Sequence, residues 1–113
     1  MDIEDLQQQI RDFAQERDWE QFHTIRNVLL ALIGEVGELA ESVQWAGEIT
    51  PETLASDDEL RTGLEHEIAD VLIYVLRLAD VAGIRLSDAV TAKMRLNAEK
   101  YPADEVRGSA AKR

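Results

Sequence analysis

The hydrophobic pattern along the chain is helical: apolar residues recur every three or four positions, and strand-like alternation is absent. This pattern predicts a first helix from about Ile3 to Glu16, with Asp2 as its N-cap. A second helix is predicted to begin after the N-cap Thr24, to continue to Trp45 and to be ended by Gly47.

A long apolar helix is predicted in the second half of the chain. Thr50 and Pro51 are expected to open a short helical turn before it. A capping box formed by Ser56 and Glu59 is expected to start the long helix itself. Gly83 is then predicted to stop it, as glycine commonly does after a last helical turn.

The last predicted helix is capped by Ser87 and closed by Pro102. Residues 1–102 are therefore expected to form one domain, and residues 103–113 a loosely ordered tail. Four helices joined by short connections predict an all-α fold, a four-helix bundle. Because the apolar faces of the two middle helices exceed what so small a unit needs, the bundle is expected to self-associate.

The charge balance narrows the range of partners. The chain of 113 residues has 23 acidic and 12 basic side chains, for a formal net charge of −11. Nucleic-acid affinity depends on lysine and arginine neutralising phosphates, so a nucleic-acid partner is not expected. A small polyanion could still bind, provided that a metal ion lies between it and the acids.

Other features of the composition exclude further classes. There is no cysteine, which excludes disulfides, thiol catalysis and zinc–thiolate sites. The first ten residues are acidic and polar, unlike a secretory or mitochondrial leader. No apolar run reaches the roughly 18 residues needed to cross a bilayer. A soluble, cytoplasmic protein without a membrane partner is therefore expected.

Two pairs of acids interrupt the most apolar helices. Glu35 and Glu38 are spaced i, i+3 on the second helix, and Glu67 and Asp70 repeat that spacing on the third. If these helices pack together, four carboxylates converge, and two like charges about 4 Å apart repel by roughly 4 kcal/mol at an effective dielectric of 20. An all-oxygen cluster of this kind suits Mg²⁺ or Mn²⁺. The alternative is that each pair belongs to an ordinary solvated helix face.

The two glycines beside the first pair suggest close approach of another group. Gly34 and Gly37 each cost a helix interior roughly 1 kcal/mol relative to alanine. Without side chains there, another helix or a ligand could come close to the acids. On the third helix, a polar line continues from Glu67 and Asp70 to Tyr74 and Arg77.

Aromatic and basic residues supply candidates for binding a nucleotide. Aromatic rings could stack on a base, and an i, i+4, i+7 line on the fourth helix suits phosphate oxygens. The alternatives are core packing for the rings and an ordinary surface for the lysines. The aromatic-type candidates are Trp19, Phe22, His23, Trp45, Tyr74 and Tyr101, and the line on the fourth helix is Lys93, Asn97 and Lys100.

These motifs resemble a known family. The E-x-x-E…E-x-x-D pattern is similar to that of the MazG-like all-α nucleoside triphosphate pyrophosphohydrolases. The segments RDWEQFHTIRNVLLALIGEVGELAESVQW, EIADVLIYVLRLAD and KMRLNAEKYP resemble its dCTP pyrophosphatase branch. Two positions depart from that branch: Ile25 stands where proline is usual, and Ile10 where some relatives have a histidine near the base.

The resemblance implies hydrolysis of a nucleoside triphosphate to the monophosphate and pyrophosphate, with dCTP or a modified dCTP as substrate. It implies Mg²⁺ held by Glu35, Glu38, Glu67 and Asp70, and subunits assembled as dimers or as tetramers built from two dimers. A base site is implied at Trp19, His23, Trp45 and Tyr74, and phosphate and sugar contacts at Lys93, Asn97, Lys100 and Tyr101.

The expected mechanism is attack of a water on the α-phosphorus, with Glu35 or Glu38 taking its proton and Glu41 as an outer helper. Three alternatives remain. The same reaction could act on dUTP or on a broad set of triphosphates. The chain could instead be a non-catalytic helical module that binds nucleotides or partners. A di-iron bundle usually has two Glu-x-x-His pairs, and this chain does not have two.

Overall fold

The computed structural model describes residues 1–111, and within them the chain forms helices and no strand. The all-α prediction is confirmed, whereas the packing of four helices into one bundle and the oligomeric state stay predictions. Residues 112 and 113, the end of the predicted tail, lie outside the described residues. The helices are α1 (Ile3–Glu16), α2 (Ile25–Val43), α3 (Pro51–Ala55), α4 (Asp58–Val81), α5 (Leu86–Lys100) and α6 (Ala103–Val106).

The chain consists of two compact units. The first, Met1–Gly83, contains α1 to α4, and the second begins at Ile84 and contains α5 and α6. In the first unit α4 is the central helix, because α1, α2 and α3 all pack against it. None of the described helices combines the length and the apolar content that crossing a membrane requires.

Three helix starts agree with the sequence. The Asp2 carboxylate accepts a hydrogen bond from the Asp5 backbone N–H at 2.9 Å, and so caps α1. The Thr24 hydroxyl accepts from the backbone N–H of Asn27 at 3.1 Å at the start of α2. Thr50 caps α3, with proline in the first helical turn. Each cap satisfies a backbone donor that the helix itself leaves free.

The prediction that α2 continues to Trp45 was wrong. The helix ends at Val43, because the next residues tighten into a turn in which the Ala46 N–H donates to the Val43 carbonyl at 3.1 Å. Gly47 follows with a φ of +74°, a conformation that glycine adopts without strain. Trp45 therefore lies in the turn, and 88% of its surface is exposed.

The start of α4 also differs from its prediction. Asp57, not Ser56, is the N-cap, and its carboxylate accepts from the Leu60 N–H at 3.0 Å. Ser56 instead ends α3, where its hydroxyl donates to the Thr53 carbonyl at 3.1 Å. The predicted capping box of Ser56 with Glu59 was therefore wrong, because the Ser56 hydroxyl bonds to the end of α3 and does not cap α4.

The prediction of Ser87 as the cap of the last long helix was wrong as well. Because α5 begins at Leu86, Ser87 already lies inside its first turn, and the N-cap is Arg85, which makes no side-chain capping bond. Arg85 instead pairs with Asp88 at 3.6 Å. Pro102 closes this helix as expected and then serves as the N-cap of α6, a short helix within the predicted tail.

Few side chains of the described chain are buried. The buried apolar residues join α1, α2 and α4, and Val28 is the largest of them to be fully enclosed. Much of the apolar surface of α2 and α4 stays open, which is unusual for a lone small domain. The buried apolar residues are Ala14, Val28, Leu76 and Ala79, and the exposed ones on α2 and α4 include Leu29, Leu30, Ile33, Val36, Ile68, Leu72 and Ile73.

Candidate functional site

The two acidic pairs lie on the two helices that pack together most extensively, α2 and α4. One carboxylate oxygen from each of Glu35, Glu38 and Glu67 lies within 4.8 Å of the other two. We call these three residues the acidic cluster. Asp70 does not belong to this group, but its charge still acts on Glu35. The structure thus brings three of the four predicted acids together and places the fourth nearby.

The electrostatics of the acidic cluster are unfavourable for a free carboxylate. Burial raises the pKa of Glu35 above its ordinary value, and the charge of Glu38 and a hydrogen bond with it raise it further. Asp70 and Glu67 act on the pKa of Glu35 in the same direction. Since each cause opposes ionisation, a proton or a cation stabilises this arrangement.

Two oxygen atoms of the acidic cluster lack a hydrogen-bond partner. Glu35 Oε2 and Glu67 Oε2 are buried, and neither has a hydrogen-bond partner within the described residues. Leaving a buried carboxylate oxygen unsatisfied is costly, and a bound cation would satisfy both. Because every donor is a carboxylate oxygen, the cluster fits a hard cation such as Mg²⁺ or Mn²⁺.

The glycines on α2 have open space around them. A Cβ atom added at Gly34 or at Gly37 would meet no atom within 4 Å apart from the adjacent residues and the backbone of its own helix. No close neighbour in the described chain therefore explains these two residues.

A cavity of about 250 Å³ adjoins the acids, and Glu35 and Asp70 form part of its wall. We call it the aromatic cavity. The rings of Phe13 and Trp19 meet edge to face in its wall, with their centroids 5.7 Å apart. Its other lining residues are Ile10, Ala14, His23, Ile73, Tyr74 and Arg77. The cavity thus combines a largely apolar wall with a few polar groups, which is the usual composition of a ligand site.

A buried arginine organises the polar side of the aromatic cavity. Arg77 is only 5% exposed, and its Nε donates to Nδ1 of His23 at 2.9 Å. Its Nη1 donates to Asp80 at 3.3 Å, and Asp80 also pairs with Arg11 at 2.8 Å. Burial lowers the pKa of His23, the charge of Arg77 lowers it further, and Glu20 acts weakly in the opposite direction.

Arg77 is not among the site residues that the sequence predicts. Its signal was present, since it continues the polar line of Glu67, Asp70 and Tyr74 on an otherwise apolar helix. Arg11 and Asp80 offered no such signal, because they lie 69 residues apart and meet only when α1 packs on α4.

The residues predicted to bind the base do not all line the aromatic cavity. Trp19, His23 and Tyr74 line the aromatic cavity, together with Ile10, the position at which this chain departs from the histidine of some relatives. Phe22 is 59% exposed and Trp45 is 88% exposed, and neither belongs to that lining. Their proposed roles stay predictions.

The residues predicted to contact phosphate and sugar lie in the second unit, on α5 and at its end. Lys93 and Lys100 are exposed, while Asn97 and Tyr101 are half-buried. The Lys100 ammonium lies 5.4 Å from the centroid of the Tyr101 ring. Their contact with a substrate stays a prediction.

The sequence is similar to a known family of nucleotide-hydrolysing domains and to individual proteins. The profile of the MazG nucleotide pyrophosphohydrolase domain matches residues 23–102. The chain is 48% identical over 110 residues to dCTP pyrophosphatase 1 of Mus musculus and 46% identical to that of Homo sapiens. Each alignment covers 97% of this chain, and the chain spans 65% of the length of these relatives.

A solved structure is similar as well. The crystal structure of a pyrophosphatase from Archaeoglobus fulgidus superimposes with a TM-score of 0.76 at 40% sequence identity. The match covers 88% of this chain and 91% of the archaeal one.

Proposed function

Because the chain belongs to the MazG nucleotide pyrophosphohydrolase family, we propose that it hydrolyses a nucleoside triphosphate to the monophosphate and pyrophosphate. The observation that carries this proposal is the position of the acidic cluster beside the aromatic cavity, since Glu35 belongs to both. That arrangement offers a cation site next to a space that suits a base. Residues 1–102 are proposed as the domain that carries the activity.

The proposed substrate is dCTP or a modified dCTP, and the proposed role is to remove such nucleotides from the pool. The names of the mammalian relatives support this choice. Trp19 and Tyr74 offer rings for contact with a base at the wall of the cavity. Since Ile10 is apolar, a preference that depends on a histidine there would not carry over, and dUTP or a broader set of triphosphates is the alternative.

The proposed cofactor is Mg²⁺, with Mn²⁺ as a possible substitute. Glu35, Glu38 and Glu67 would hold it, with Asp70 beside them, and the two unpartnered buried oxygens support this assignment. When bound, the cation neutralises part of the triphosphate charge and polarises its phosphoryl oxygens.

The carboxylates also provide the proposed base. A water oxygen attacks the α-phosphorus while the bond from that phosphorus to the bridging oxygen breaks, and pyrophosphate leaves. The proton of the water passes to a carboxylate, for which Glu35 and Glu38 are the candidates. Lys93, Asn97, Lys100 and Tyr101 are proposed to contact the phosphates and the sugar, and Phe22, His23 and Trp45 to contribute to base binding.

We also propose that the protein acts as a homo-oligomer, either a dimer or a tetramer built from two dimers. The exposed apolar side chains of α2 and α4 support self-association, since water-exposed patches of this kind usually mark an interface. The net charge of −11 argues against a nucleic-acid partner. No membrane partner is proposed.

The experiment that tests the function is a measurement of pyrophosphate release from deoxy- and ribonucleoside triphosphates, with Mg²⁺ and with chelator. Release from dCTP or its modified forms, lost with chelator, is the expected result. Release from dUTP or from many triphosphates would favour the broader substrate range. No release from a folded protein would contradict the proposal and favour a binding role.

A further inference from the structure

Arg77 is the only charged side chain in the described residues that is almost fully buried. A buried guanidinium is tolerated when its charge is compensated and its donors are used. Asp80 supplies the compensating charge at 3.3 Å, and Nδ1 of His23 accepts from the Nε at 2.9 Å. The arginine therefore links a carboxylate to the histidine of the aromatic cavity.

Asp80 is itself fixed from the other side. Arg11 of α1 donates to it through two nitrogens, from Nε to Oδ2 at 3.0 Å and from Nη2 to Oδ1 at 2.8 Å. A bidentate pair of this kind sets the plane of the carboxylate as well as its position. Since α1 and α4 each contribute a partner, the orientation of Arg77 is determined by the packing of two helices.

The hydrogen bond from Arg77 fixes where His23 carries its proton. A guanidinium in a protein always keeps its hydrogens, so the Nδ1 atom that faces it must accept. The neutral imidazole then has its hydrogen on Nε2. Within the described residues Nε2 makes no hydrogen bond, and His23 is one of the residues that line the aromatic cavity.

We propose that Arg77 is a positioning residue that holds His23 as the neutral Nε2–H tautomer, so that His23 donates a hydrogen bond to an acceptor on the base of the substrate. This inference rests on the proposed function and adds a rule for selectivity to it. The acceptor would be a carbonyl oxygen or an unprotonated ring nitrogen of the base. An exocyclic amino group, which is a donor, would meet another donor at this position.

The hydrogen bond from Arg77 matters because a histidine without it could adopt either neutral tautomer. A free neutral imidazole can place its hydrogen on either nitrogen and can therefore present a donor or an acceptor. With Nδ1 occupied by Arg77, only the donor remains. A site that offers a fixed hydrogen bond discriminates strongly against ligands that leave its partner unpaired.

The tautomer can be measured without any substrate. We would record ¹⁵N NMR spectra of the histidine rings in the full chain, in chelator and at a pH where His23 is neutral. The chain has only two histidines, and His66→Gln assigns the signals. The expected result is a protonated Nε2 and an unprotonated Nδ1 in His23. A mixture of tautomers, or the opposite one, would overturn the proposal.

Substitution of Arg77 tests the cause. Arg77→Met removes the donor but keeps much of the volume, and Asp80 retains its pair with Arg11. We expect mixed tautomers in this variant and a KM for dCTP about tenfold higher, the equivalent of one hydrogen bond, with a smaller effect on kcat. In Arg77→Lys the lysine can still donate to Nδ1. Its tautomer ratio and its KM for dCTP should therefore lie closer to those of wild type than in Arg77→Met.

The control is Arg61→Met on the same helix, because Arg61 is exposed and its one ion pair within residues 1–111 is with Glu65 at 3.1 Å. It should leave both the tautomer and KM unchanged. Pyrophosphate release with equal KM values in wild type and Arg77→Met would overturn this inference while leaving the proposed function intact. If wild type releases none, the proposed function fails separately. A titration with dCMP, followed at the Nε2–H proton of His23, then decides: a shift supports the role of His23, and no shift overturns it.

Discussion

Glu35 and Glu67 lie on different helices, yet their carboxylate oxygens come within 4.8 Å of each other, and each residue keeps one buried oxygen without a hydrogen-bond partner in the described chain. Two acids in this arrangement destabilise an isolated protein. Their position therefore supports the proposed cation site, because a bound cation would offset a cost that folding alone does not explain.

The first prediction concerns Glu67. Glu67→Gln keeps the shape of the side chain and removes one charge from the acidic cluster. Since even the outer partners of metal ligands cost about 10- to 100-fold when they are changed, we expect pyrophosphate release to fall by at least about 100-fold. Steady-state kinetics at saturating Mg²⁺ would measure the loss, and circular dichroism should show an unchanged helix content.

The matched control for this prediction is Glu65→Gln. Glu65 lies on the same helix, is exposed and pairs with Arg61. Its substitution should leave activity within about twofold of wild type, since surface pairs contribute little. Equal losses in the two variants would contradict the assignment of Glu67.

The second prediction concerns stability and pH in the presence of chelator. The pKa of Glu35 is raised by burial and by Glu38, so the ionised carboxylate destabilises the folded chain. Its favourable, protonated form is fully present below the ordinary pKa of glutamate, and its benefit is lost as the pH rises through the raised value. Glu35→Gln should therefore melt about 2 to 5 °C higher than wild type at pH 8.

The pH dependence provides the check on this second prediction. The advantage of Glu35→Gln should shrink as the pH falls and wild-type Glu35 takes up a proton. Thermal melts of both proteins across that range, with Mg²⁺ absent, would measure it. A difference that stays constant with pH would show that packing, not charge, separates the two proteins.

The local parts of this fold were predictable from the sequence, because their causes are local. The starts of α1 and α2 depend on Asp2 and Thr24, each of which accepts from a backbone N–H three residues later. The start of α4 was not predictable, since Ser56 and Asp57 are both good caps and are adjacent. The choice depends on where α3 ends.

The candidate site, too, was predictable only where its residues are close together in the sequence. The spacing of Glu35 with Glu38 indicated a cluster, because i, i+3 residues share a helix face. The contact of Arg77 with His23 joins residues 54 positions apart, and no periodicity reports such a pair. Their contact depends on how the segment before α2 lies against α4, which is a matter of packing.

The third prediction separates the two tryptophans of the chain. Trp19 lines the aromatic cavity, whereas Trp45 is 88% exposed and lies in the turn after α2. In Trp45→Phe the remaining emission comes from Trp19, and stacking of a base on that ring should quench it. Titration of this variant with dCMP would measure the quenching.

The reciprocal variant tests the sequence-based role of Trp45. In Trp19→Phe the remaining emission comes from Trp45, and quenching there would place it near the base in the assembled protein. Absence of any response from Trp19 would contradict the use of the aromatic cavity for the base.

The fourth prediction concerns the exposed apolar side chains of α2 and α4. Ile33 is 61% exposed in the single chain, with Leu29, Leu30 and Val36 also exposed on the same helix. If these residues meet a second copy, Ile33→Glu places an unpaired charge in an apolar contact, which costs several kcal/mol. We expect sedimentation velocity to show an oligomer for wild type and a smaller species for Ile33→Glu.

The control for this last prediction adds the same charge elsewhere. Gln21 is exposed and lies in the short turn before α2, so Gln21→Glu should leave the oligomer intact. Dissociation in both variants would indicate that net charge, already −11, is responsible rather than the apolar contact. A wild-type protein that is monomeric at micromolar concentration would contradict self-association.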